Sequence, residues 1–145
     1  MKLYTVRHCI AKSNENKIAA SISEKYCEGL SKQGLKQAKN LVPKLKKYKF
    51  DAIIVSYLKR TIQSINPYIN SIKNPPKIII SNLVLERDLG TLKGKTIDEV
   101  DVYIKKGRNP ISWKPPKGES ILEVYKRAKK FVSYLKRNFN KNSKI

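Results

Sequence analysis

The sequence predicts an α/β domain with a mostly parallel sheet, on three observations. Strand-like and helix-like stretches alternate in the order β-α-β-α-β-loop-α-α, which fits right-handed crossovers between parallel strands. Phe50–Ser56 reads Phe-Asp-Ala-Ile-Ile-Val-Ser, a continuous apolar run of strand length that suits a strand covered on both faces. Leu3–Cys9 starts apolar and ends in Arg7-His8-Cys9, placing polar chemistry at the C-terminal end of a first strand, where open α/β sheets bind ligands.

The elements follow in chain order. After the first strand, Ile10–Gly29 is polar and small, a loop or partly helical excursion long enough to be functional. Ser31 is the N-cap of a helix whose apolar face is Leu35, Ala38, Val42 and Leu45, and Pro43 should bend it. A second helix follows Ser56 with Leu58, Ile62, Ile65, Ile69 and Ile72. Pro67 should bend this helix too, and Asn74-Pro75-Pro76 ends it. Lys77–Ile80 is a short β-branched strand, and Leu83–Gly94 is a loop. Thr96-Ile-Asp-Glu99 is a capping box for a short helix, with Gly107 as its C′ residue. Asn109–Gly118, with three prolines, is irregular. Ser120-Ile-Leu-Glu123 is a second capping box, opening a long helix before a polar tail at Asn138–Ile145.

At 145 residues the chain is one domain with room for a core. The net charge of +21 has two readings, a polyanionic partner or a solvated lysine-rich surface. Lysine is spread through every segment, with no long basic run and no interleaved aromatic residues, which favours the surface and makes nucleic acid an unexpected partner. Such a surface still draws small anions. Two cysteines, Cys9 and Cys27, form neither a disulfide framework nor a metal pattern, which suits a reduced cytoplasm. No apolar run reaches membrane-spanning length, so no membrane is expected. One histidine and scattered carboxylates do not build a metal site, and no cofactor is expected.

His8 is the only histidine. An imidazole can be acid, base, ligand or nucleophile, and Arg7 beside it carries a donor fork that fits phosphate. Taken alone, the pair reads as a solvated arginine and a capping histidine. Four further stretches change that: Leu30-Ser-Lys-Gln-Gly34 with Gln37-Ala38, Phe50 to Arg60, Leu85-Glu-Arg-Asp-Leu-Gly90 to Thr96, and Gly118-Glu-Ser120. With Val6-Arg7-His8-Cys9 and Asn14, their order and spacing resemble the histidine phosphatase superfamily, in its phosphoglycerate-mutase-like branch. The resemblance runs from Lys2 to about Phe139.

That resemblance implies a three-layer α/β/α fold and a phosphomonoester hydrolase acting on a small phosphorylated metabolite. His8 is then the nucleophile that becomes phosphohistidine, and Arg7 and Arg60 bind the phosphate. Asn14 contacts the phosphate or steadies its loop. Glu86 is the acid that protonates the leaving oxygen, given burial to raise its pKa. The alternatives are a phosphoglycerate-type mutase and a non-catalytic anion- or nucleic-acid-binding relative. Two departures stand out. Cys9 replaces the family's glycine, where a side chain would crowd the phosphate or change the loop angle, and it is expected to pack as a small buried residue. The family's second histidine, on a later strand beside the first, has no counterpart. The chain therefore reads as an incomplete single domain over 1–145, truncated at its C-terminus, with the last part of the sheet missing and activity weak or lost. An uncovered sheet edge would favour a homo-oligomer.

Overall fold

The computed structural model describes residues 1–107 and 109–145. Among them are six α-helices and two strands. The excursion after His8 holds two single-turn helices, α1 (Lys12–Glu15) and α2 (Glu24–Cys27). Then come α3 (Lys32–Leu45), β1 (Ala52–Val55), α4 (Lys59–Asn70), β2 (Lys77–Ile80), α5 (Ile97–Lys106) and α6 (Ile121–Asn138).

The helix starts are set locally, as the sequence indicates. Ser31 Oγ accepts the Gly34 N–H at 3.1 Å, satisfying one of the donors a helix start leaves free. Both capping boxes form. At α6, Ser120 Oγ accepts from Glu123 N at 3.1 Å and Glu123 Oε2 accepts from Ser120 N at 2.8 Å. Replacing Ser120 with alanine should cost about 1 kcal/mol of stability, measurable by urea unfolding. The helix ends fit less well. α3 and α4 run through Pro43 and Pro67, which lie two and three residues before the last residue of their helices. Gly107 has φ −69°, so α5 closes without a left-handed residue. A Cβ there would come within 2.8 Å of Trp113 Cγ, which makes glycine a matter of packing.

α3 and α4 pack against each other. The buried stripe of α3 passes through Gly34, Ala38 and Leu45, while Leu35 is 44% exposed. The stripe starts one position earlier than expected because Gly34 lies against backbone: a Cβ there would be 2.0 Å from the Ile10 carbonyl oxygen. That close approach brings α3 up behind His8.

The sheet departs most from expectation. β1 and β2 pair in parallel, Ala52 opposite Lys77 through Val55 opposite Ile80. Leu3–Cys9 is not a strand. Its pairing is confined to its start, where Lys2 N donates to Ser143 O and Tyr4 N to Ile145 O, both at 2.7 Å, and Ile145 N donates to Lys2 O. Asp51 N donates to Lys144 O at 2.9 Å, so Ser143–Ile145 lies between the N-terminal segment and the start of β1. Beyond this level the backbone groups of Thr5–Arg7 make no hydrogen bond among the described residues. Without a partner there is no ladder, and the segment stays extended but unassigned. For the same reason β1 is not covered as a buried strand would be. Ile53, Ile54 and Val55 are half-buried and line a cleft of about 260 Å3 whose opposite wall is Leu3–His8.

Candidate active site

The N-terminal segment ends where three elements meet. Arg7 is exposed and His8 half-buried. His8 Nδ1 lies 2.7 Å from the Cys9 carbonyl oxygen. Nδ1 can only donate to that acceptor, so the proton resides there and Nε2 carries the free lone pair. Cys9 turns its side chain away from the site, into a buried cluster with Leu30 and Ala38. It fills core rather than crowding a ligand.

Burial disfavours the imidazolium, as do the positive charges of Arg60 and Arg7, and the bond to Cys9 and the charge of Glu86 oppose this only in part. The His8 pKa is lowered from 6.5. A neutral imidazole with a free lone pair at pH 7 has the form a nucleophile needs.

Arg60 stands at the start of α4 and is 3% exposed, against the exposed position that a helix-start arginine usually takes. Nη2 donates to the Ser21 carbonyl at 2.7 Å, and Nε and Nη1 have no partner. A buried guanidinium with two free donors calls for an anion. His8, Arg7, Asn14, Arg60 and Glu86 all line one cleft of about 230 Å3, so the structure brings the five sequence-predicted residues together. Asn14 Oδ1 accepts from Ala11 N at 2.9 Å, which steadies the loop.

Glu86 differs from expectation. It is exposed, so the burial expected of it is absent. Its Oε1 accepts the backbone N–H of Arg87 at 2.9 Å. The Arg87 guanidinium turns elsewhere, with Nε donating to Glu119 O at 2.9 Å.

Sequence reading missed the scaffold around these groups. Ser21, in left-handed backbone with φ 52°, accepts Arg60 on its carbonyl, and its hydroxyl donates to Arg87 O and accepts from Leu89 N. No sequence signal marks it. Arg127 grips Glu119 with two bonds, 3.0 and 2.8 Å, and donates to Leu85 O at 2.7 Å, fixing the segment that carries Glu86. The Arg127 bonds hold the Glu119 carboxyl below its usual pKa. Gly118-Glu119-Ser120 was the available clue.

A family model described as "Histidine phosphatase superfamily (branch 1)" matches residues 3–145. The chain is 33% identical to fructose-2,6-bisphosphatase TIGAR of Xenopus tropicalis over 136 residues, covering 92% of this chain and 49% of that protein. It thus spans about half the length of the curated relatives it matches. Among solved structures, alpha-ribazole phosphatase from Shigella flexneri superposes with a TM-score of 0.75 at 19% identity, over 94% of this chain and 68% of that one. A mycobacterial glucosyl-3-phosphoglycerate phosphatase gives 0.72 at 22%, over 89% and 60%. These structural likenesses show a shared fold.

Proposed function

Because the chain belongs to the histidine phosphatase superfamily, we propose that it hydrolyses a phosphomonoester of a small metabolite through phospho-His8. One observation carries this reading: the neutral imidazole of His8 and the unpartnered donors of buried Arg60 line the same cleft. Arg60 and Arg7 hold the non-bridging oxygens. Nε2 of His8 forms the bond to phosphorus as the ester P–O bond breaks, and Glu86 relays a proton from solvent to the departing oxygen. Carboxylate Glu86 then takes a proton from the water that attacks phosphohistidine, releasing inorganic phosphate and restoring His8. No step uses a metal ion or a cofactor. Phosphatase is favoured over mutase by the bisphosphatase name of the relative at 33% identity. Buried, unpaired Cys9 and Cys27 suit a cytoplasmic setting. No helix among the described residues is long and apolar enough to cross a membrane. Ile78 and Ile80 on the edge strand β2 are exposed, and a homo-oligomer would cover them.

The test is hydrolysis of p-nitrophenyl phosphate together with trapping of an acid-labile, base-stable phosphoenzyme. Phosphate release with no such label would sink the reading. Phosphoryl transfer between sugar-acid hydroxyls faster than release would make the protein a mutase.

The pH profile has a definite sign. His8 must be neutral to attack, so kcat/KM should fall about tenfold per pH unit on the acid side, below a pKa that is itself under 6.5. Stability should follow. The folded pKa is depressed, so the unfolded chain takes the proton first, and stability declines as pH drops through 6.5.

A further inference from the structure

The two peptide units that follow His8 are each held by a side chain from a different helix. Cys9 N–H donates to Ser64 Oγ of α4 at 2.8 Å, and Ser64 Oγ donates to the Arg60 carbonyl at 2.7 Å. Ile10 N–H donates to Gln37 Oε1 of α3 at 3.0 Å. The second unit is the one whose carbonyl, on Cys9, accepts from His8 Nδ1 at 2.7 Å. Gln37 thus stands at the far end of a chain that runs Gln37 Oε1, Ile10 N–H, Cys9 C=O, His8 Nδ1–H. Hydrogen bonds in series through one peptide polarise one another, so the acceptor facing His8 is strengthened from behind.

We propose that Gln37 and Ser64 are positioning residues that set the tautomer and orientation of His8. Neither lines the cleft that holds Arg60 and Glu86. Gln37 orients the peptide that selects Nδ1 as the protonated nitrogen. Ser64 fixes the peptide before it and ties the His8 loop to the Arg60 turn of the same helix. One hydroxyl therefore links the nucleophile to its phosphate clamp. The catalytic side of this inference rests on the phosphohistidine reading, but the tautomer itself does not.

A single histidine makes the test direct. The whole chain labelled with 15N gives one pair of imidazole nitrogen signals, whose shifts report which nitrogen is protonated. Wild type should show a dominant Nδ1–H form. Gln37→Leu should shift the pair towards an even mixture, and Gln37→Glu, which keeps the acceptor, should restore it. Ser64→Ala should broaden or shift the signals, and Ser64→Thr should restore them. On p-nitrophenyl phosphate, the two disruptive variants should lose about tenfold in kcat with KM within twofold. Folding of each is checked by circular dichroism, and the conservative variants carry the test should a disruptive one unfold. Unchanged imidazole shifts in folded Gln37→Leu and Ser64→Ala would overturn the proposal. Changed shifts in a protein without phosphatase activity would uphold the positioning and remove the functional reading.

Discussion

Substituting alanine for His8 should lower phosphomonoester hydrolysis by at least about 1,000-fold and eliminate the phosphoenzyme, while the fold survives. The loss is large because every step passes through one nitrogen. Nε2 is the only lone pair of its kind in the chain, since no second histidine exists to take over. The arginines can still bind phosphate in the variant, so affinity for inorganic phosphate should change far less than turnover. The fold survives because His8 is half-buried and its one bond is to the adjacent residue, Cys9. Deleting that ring strands one acceptor, the Cys9 carbonyl, and a loss of about 1 kcal/mol is expected. Equal rates of phosphate release from His8→Ala and wild type would place the chemistry elsewhere.

What the sequence made legible was local. Caps at Ser31, Thr96 and Ser120 were readable because a side-chain oxygen that accepts from the amide three residues on is a contact within one turn. The chemically active groups were readable because strand ends and helix starts are where chain order forces them to converge. The first strand was not, because a strand is a property of two segments. Leu3–Cys9 has strand composition, yet only Lys2 and Tyr4 meet backbone partners, in Ser143–Ile145. The burial of Arg60 was equally hidden, since it depends on the Ser21 carbonyl from an excursion whose path has no periodic signal. Cys9 shows the same limit from the other side. The substitution is visible in the sequence, but whether the thiol faces ligand or core is decided by α3, which Gly34 lets approach.

Arg60 yields the second large effect, with opposite signs on stability and binding. Its guanidinium is 3% exposed, and no carboxylate forms an ion pair with it among the described residues. Only the Ser21 carbonyl answers it, and Nε and Nη1 go unanswered. Burying an ionised group costs several kcal/mol unless charge and hydrogen bonds compensate, and here they do so only in part. Arg60→Met keeps the length of the side chain and removes the charge. The Ser21 carbonyl loses a donor, at about 1–3 kcal/mol, against a desolvation penalty that is larger. The ligand-free variant should therefore be as stable as wild type or more so, by up to about 2 kcal/mol. Binding moves the other way. Phosphate at about 100 times its Kd should stabilise wild type by about 2.7 kcal/mol, and this gain should vanish in Arg60→Met. Arg60→Lys should not recover it, because an ammonium cannot hold Ser21 and offer a planar fork to phosphate at once. Thermal unfolding with and without inorganic phosphate reads both effects in one experiment. A variant that is destabilised by several kcal/mol yet still stabilised by phosphate would show that Arg60 serves the fold and that the anion binds on other residues.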